Sequence, residues 1–177
     1  MKTVASRIIA LASLVSLGTV TSALAENSAG IGKEWSKSGF GSNLTYKCKQ
    51  PSCGAKSVMK VAKFGGFNEV PELGIPSGSN VEAEFRRRPE VRRILAAMLQ
   101  QVVKESRNKG SSLTSAYFTK PEYVGFNFSA FDAKDGVYGV FQLRIWDNKA
   151  LMIVSQGETA AVARRNLNSL LPTIKTD

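Results

Sequence analysis

The chain has 177 residues and a formal net charge of +10, with 43% hydrophobic and 21% charged residues. These ordinary globular proportions exclude a collagen-like, wholly disordered or polytopic membrane protein. Histidine is absent and there are two cysteines, which removes His-based triads, His metal sites, a disulfide-built scaffold and a four-cysteine zinc site.

The first segment reads as an address. Lys2 and Arg7 precede a mostly apolar stretch, Ile8 to Val20, and Ala23-Leu24-Ala25 offers small residues where a signal peptidase reads. The pattern predicts a secretory signal over 1–25, cleaved after Ala25. The apolar stretch is 13 residues long, short of the roughly 20 that a spanning helix needs. No cysteine sits at the cleavage point and no second long apolar run follows. A lipoprotein is therefore not expected, nor a transmembrane segment in the mature chain. Without Lys2 and Arg7 the mature 152 residues hold 22 basic and 14 acidic side chains, a net charge of +8. A basic periplasmic or secreted protein points to an acidic protein, a polysaccharide or a lipid headgroup surface as partner. The compartment argues against nucleic acid, and plain solubility accounts for the charge equally well.

Residues 26–41 are polar and rich in Gly, Ser and Asn. They predict a flexible arm anchored by Trp35 and Phe40, ahead of a single α+β domain over 42–177. Cys48 and Cys53 lie between two short strand-like runs, Asn43 to Lys47 and Lys56 to Val61, with Pro51 and Gly54 marking a turn. In an oxidising compartment this predicts a local disulfide. Four intervening residues are not the spacing of a thioredoxin-type redox pair, and Cys48 starts no evident helix that would lower its pKa. Phe64-Gly-Gly-Phe67 and the Pro/Gly/Ser stretch to Ser79 read as loop, either a binding lid or a plug at the core's edge.

Val81, Ala83 and Phe85 alternate and suggest a short strand over 80–87. Pro89 fits the first turn of a helix in which Val91, Ile94, Leu95, Met98 and Val102 make the apolar stripe and Gly110 the stop. From Ser111 the period becomes two. Candidate strands hold Leu113 to Tyr117, Val124 to Ala130, Tyr138 to Trp146 and Ala150 to Val154, with a tight turn at Asp147-Asn148. Ser155-x-x-Glu158 reads as a capping box opening a last helix, Gln156 to about Leu171. Its stripe is Val162, Ala163, Leu167 and Leu170, and Pro172 stops it. The expected fold is α+β. An antiparallel sheet of about five to six strands is covered on one face by two amphipathic helices, with an N-terminal disulfide hairpin.

From Val81 to Ile174 the order and local pattern of these elements resemble the PsbP-like family of exported α+β domains. The residues concerned are the helix from Pro89, the strand with Tyr123 and Phe126, and Val137-Tyr-Gly-Val-Phe-Gln-Leu-Arg-Ile145. The turn Asp147-Asn148-Lys149, the strand Leu151 to Val154 and the ending Leu170-Leu171-Pro172-Thr173-Ile174 complete the pattern. The resemblance implies a non-catalytic accessory protein that binds a larger partner. It brings no catalytic motif, and the disulfide hairpin departs from the family's simple pattern.

Among candidate sites, Arg86, Arg87, Arg88, Arg92 and Arg93 place five guanidiniums within eight residues, able to bind phosphate or carboxylate bidentately. Glu82, Glu84 and Glu90 beside them allow the plainer reading of a solvated helix face. Glu82 with Glu84, and Asp132 with Asp135, are the close carboxylate pairs a glycosidase would need. Both read as surface charge. Serine catalysis would have only lysine as base, and neither Ser129 nor Ser155 has a nucleophile-elbow context. Tyr117 and Phe118, adjacent on one strand, must point to opposite faces, so an outward aromatic could serve as a carbohydrate or peptide platform. No catalytic residue, metal site or cofactor is expected. The composite expectation is an exported non-catalytic binding or accessory protein of the cell envelope. A secreted polymer- or host-binding factor is second, and a small carboxylate-dependent hydrolase third.

Overall fold

The computed structural model describes residues 34–40, 43–64, 71–105, 112–133 and 135–174. The signal segment, the arm up to residue 33, the Gly-Gly-Phe67 part of the loop and the helix stop at Gly110 lie outside the described residues.

Among the described residues seven antiparallel strands form one sheet in the order β1-β2-β3-β7-β6-β5-β4. They are β1 (Trp35–Phe40), β2 (Asn43–Cys48), β3 (Val58–Phe64), β4 (Ser112–Thr119), β5 (Val124–Asp132), β6 (Val137–Trp146) and β7 (Lys149–Gly157). Among the described residues three α-helices accompany them: α1 (Val81–Arg87), α2 (Pro89–Glu105) and α3 (Ala160–Leu170). The fold class is α+β, with more strands than the five to six expected, because the end of the expected arm is itself a strand. Trp35 pairs with Cys48 and Phe40 with Asn43. Trp35 is buried, whereas Phe40 is 95% exposed and anchors nothing among the described residues.

The segment expected as a strand over 80–87 is the helix α1. Val81 and Phe85 stand four apart, share one helical face and are both fully buried. The Asn80 side chain accepts a hydrogen bond from the Ala83 N–H at 2.9 Å, a helix N-cap. Glu82 and Glu84 then fall in the first turn and Arg86 and Arg87 in the last, as the helix dipole favours. The period-two reading failed because Ala83 is exposed and alternation over three residues is weak evidence. Arg88 is extended before Pro89, the conformation a following proline imposes, and α2 starts there. In α2, Val91 and Leu95 are buried while Ile94 is 36% exposed. The stripe therefore excludes one residue that the spacing had included.

The helices lie on both faces of the sheet, not on one. Ala150, Met152, Val154, Phe141, Leu143 and Ile145 pack with Phe85, Val91 and Leu95. The alternate residues Leu151, Ile153 and Val140 pack with Ala163, Leu167 and Leu170. Strands β6 and β7 are thus buried on both faces, which is why they read as nearly continuous apolar runs.

The last helix starts later than the capping box suggested. Ser155 and Gln156 are buried within β7, paired with Met59 and Val58. Thr159 is the N-cap and accepts from the Val162 N–H at 3.1 Å. Glu158 instead meets the loop after the disulfide: its N–H donates to the Ala55 carbonyl at 3.2 Å.

Cys48 and Cys53 are bonded, with Cα atoms 6.1 Å apart. The buried Asn166 of α3 donates to the Cys53 carbonyl at 3.1 Å and to Ser57 Oγ at 3.0 Å. Gly54 is left-handed (φ +87°), and a Cβ there would lie 2.7 Å from Val162. The disulfide loop is therefore a seat for α3, and glycine lets the two approach. Among the described residues no helix is long and apolar enough to cross a membrane.

Candidate functional site

The five arginines singled out by the sequence cluster at the α1–α2 junction, but four of them are turned to intramolecular acceptors. Arg86 pairs with Glu82 at 2.6 Å and also reaches the Lys120 and Pro121 carbonyls at 2.7 and 3.0 Å. Arg87 and Arg88 share the buried carboxylate of Glu84 at 2.6 and 3.1 Å. Arg88 further holds Glu90 at 2.7 Å and the Gly74 carbonyl at 3.1 Å, and the Arg88 hydrogen bond holds the Glu90 carboxyl below its usual range. Arg92 donates to the Phe85 and Arg86 carbonyls and lies 4.2 Å over the Tyr117 ring. The Phe85 and Arg86 carbonyls belong to the last turn of α1, which has no intrahelical donors to offer them, so Arg92 acts as a cap from the next helix. Only Arg93 of the five is exposed without an ion pair among the described residues.

The same wiring uses the first carboxylate pair. Glu82 and Glu84 stand on α1 and take Arg86, Arg87 and Arg88, and Glu82 also accepts from the Asp147 N–H at 2.9 Å. Asp132 ends β5 and Asp135 lies in the turn beyond it, where its carbonyl accepts from Lys56 Nζ at 2.6 Å. Ser155 is fully buried and Ser129 half-buried on β5. Tyr117 and Phe118 do point to opposite faces: Tyr117 packs edge-on against Phe126 on the α1–α2 side, and Phe118 crosses Gly125 on the other.

The outward positive charge lies elsewhere. Residues 34–64 carry six lysines, Lys37, Lys47, Lys49, Lys56, Lys60 and Lys63, against a single acidic residue, Glu34. Residues 71–105 hold six basic and five acidic side chains, and residues 112–174 the same numbers. The charge excess of the described fold is therefore concentrated on β1–β3. Register fixes the geometry. Lys47 and Lys60 project on the α1–α2 side of the sheet, beside Ser36, Ser38 and Thr45, while Lys37 projects on the α3 side in the row of Tyr46 and Met59. Burial, and then Lys47, push the Lys60 ammonium below the usual lysine range. Two like charges on adjacent strands repel, and each would gain from a shared counter-charge. Sequence reasoning missed this surface because its lysines are spread over 27 positions and never run together. The signal was legible, however, in their single acidic companion.

This cationic meander is a surface rather than a cleft, and its chemistry is that of charge pairing and hydroxyl hydrogen bonding. Among the described residues no group of three or more Cys, Asp or Glu is placed to hold a metal ion. Compared with known proteins, the chain matches no protein-family model and no curated protein.

Proposed function

We propose that this is an exported, non-catalytic binding or accessory protein of the cell envelope that engages an anionic partner through the lysine-bearing strands β1–β3. The observation that carries the reading is the charge distribution: six lysines and one glutamate over 34–64, beside two regions that are each nearly neutral. A second observation supports the surface over the arginine cluster. Four of the five arginines already donate to carbonyls or carboxylates inside the fold, so a partner would have to compete with those acceptors. Export remains part of this proposal. It is supported by the n-region, apolar stretch and Ala-Leu-Ala pattern of residues 1–25, and the Cys48–Cys53 bond fits the same compartment. Kinship with the PsbP-like family is likewise proposed, on element order alone.

The test is salt-dependent retention on a sulfated polysaccharide matrix and on vesicles of anionic phospholipid. The expected result is retention at low salt that falls steeply as screening sets in. A variant with Lys37, Lys47, Lys49 and Lys60 changed to Gln should elute markedly earlier, and Arg93→Gln should elute with the parent. Equal retention of the lysine variant and the parent would overturn the reading. Retention on one matrix and not the other would identify polymer or lipid as the partner class.

A further inference from the structure

The α3 side of β4, β5 and β6 carries a second constellation, independent of the lysine surface. Arg144, on β6, is 7% exposed. No carboxylate among the described residues pairs with it, in contrast to the three arginines of α1 and its C-cap. Its guanidinium lies 4.9 Å over the Tyr123 ring, and burial pushes it below the usual arginine range. A buried cation without a counter-charge is costly, so its retention asks for a use.

The hydrogen-bond directions around it can be assigned without ambiguity. Arginine has donors only, so Arg144 Nε donates to Gln142 Oε1, at 2.7 Å. Gln142 must then present its amide nitrogen, which donates to Asn127 Oδ1 at 2.8 Å. Asn127, an exposed residue directly opposite Gln142, is left with its own NH2 group facing outward. The relay is polarised: at one end stand the two Nη nitrogens of Arg144, at the other the Asn127 Nδ2. Neither Nη has a hydrogen-bond partner among the described residues, and neither is sealed from solvent. Both ends of the relay therefore present donors.

One wall of this place is aromatic. Phe118 and Tyr123 meet edge to face, centroids 6.0 Å apart and planes at 90°. Gly125, the cross-strand partner of both Phe118 and Arg144, makes the arrangement possible, since a Cβ there would come within 2.5 Å of the Phe118 ring.

From these observations we infer that Arg144 and Asn127 form a binding site for a carboxylate ligand whose ring or apolar body rests against Phe118 and Tyr123. The two Nη groups match the two oxygens of a carboxylate. A single fixed positive charge neutralises a monoanion, whereas a phosphate dianion would leave net negative charge in a poorly solvated place.

The experiment uses the purified protein with its disulfide intact and three probes: benzoate, its uncharged isostere benzamide, and inorganic phosphate. Binding is read by NMR at the Arg144 Nε–H and the Asn127 side-chain amide. Benzoate should give saturable shifts with roughly millimolar affinity, as befits a small fragment. Benzamide and phosphate should each bind about tenfold more weakly. Arg144→Met, which keeps an apolar stem in the place of the arginine's, should lose benzoate binding by at least about tenfold. Asn127→Ala, at an exposed position, should weaken benzoate severalfold with no change in melting. Absence of saturable benzoate shifts in the parent, or undiminished affinity in Arg144→Met, would overturn the inference, and phosphate binding tighter than benzoate would overturn the carboxylate assignment. Should Arg144→Met fail to fold, unchanged affinity in Asn127→Ala would overturn it instead. The four-lysine variant should bind benzoate as the parent does, which separates failure of this site from failure of the surface on β1–β3.

Discussion

The two basic regions of this protein, Arg86 to Arg93 and the lysines of β1–β3, use their charge in opposite ways. In the first, guanidinium forks reach carbonyls and carboxylates of their own chain: Arg86 spans to the loop before β5, Arg88 to Gly74, and Arg92 to the end of α1. In the second, Lys37, Lys47, Lys49 and Lys60 stand on or beside strands whose own stretch, 34–64, holds a single acidic residue, and Lys56 of the adjoining loop reaches the Asp135 carbonyl. The difference teaches that density of charge along a sequence is a poor guide to a binding surface. What matters is whether acceptors lie within reach, and a helix–loop–helix corner, with its unpaired terminal carbonyls, supplies many. A meander of strands, whose carbonyls are used in ladders, supplies few.

Three substitutions probe that contrast. The largest effect should come from Arg92→Met. It keeps much of the stem but removes two charge-assisted bonds to the last turn of α1 and the contact with Tyr117, so the protein should lose about 2 kcal/mol in urea unfolding. A loss near zero would mean that the corner does not depend on its arginines. Lys60→Gln should act with the opposite sign and a smaller size. Because the folded protein holds the Lys60 ammonium below its unfolded pKa, charge at this position destabilises the fold below that lowered value. The penalty is relieved as pH rises from there to the unfolded lysine range. At neutral pH the variant should melt slightly higher than the parent while binding anionic matrices less well, and the stability difference should shrink in alkaline buffer. A pH-independent difference would detach the effect from titration. Least of all, Arg93→Gln should leave stability within about 0.5 kcal/mol, and a larger loss would place Arg93 in the same inward network as its neighbours.

Much of the C-terminal half was legible from periodicity. The alternation of Val124, Phe126 and Phe128 is the buried face of β5, and the turn at Asp147-Asn148 joins β6 to β7. The Cys48–Cys53 bond was legible from the spacing of the two cysteines between strand-like runs and from the compartment that residues 1–25 led us to expect. Other features were not, for physical reasons. Val81 to Phe85 looked alternating because a helix with residues i and i+4 buried also places apolar groups at even spacing when a small residue intervenes. Ser155 and Glu158 imitate a capping box, yet the ladder with β3 holds the backbone extended to Gln156 and that with β6 to Gly157, tertiary pairings that no local pattern announces. Arg144 was hidden for the same reason. Within Val-Phe-Gln-Leu-Arg-Ile its residue type stands out, but only the register with Asn127 and Gly125 reveals a donor array rather than a surface charge.

An open sheet ends in two unpaired strands, and here the two ends are protected unequally. The strand β1 is six residues long, has Lys37 near its middle and carries Gly39 at φ +104° near its end, and a short strand with an edge lysine discourages a stranger from pairing alongside. The strand β4 is longer, Ser-Leu-Thr-Ser-Ala-Tyr-Phe-Thr, with no charge and no proline in its eight residues. Its outer row of amides and carbonyls is the more regular template. Whatever guards this protein against edge-to-edge assembly is therefore concentrated, among the described residues, at the end where the lysines are.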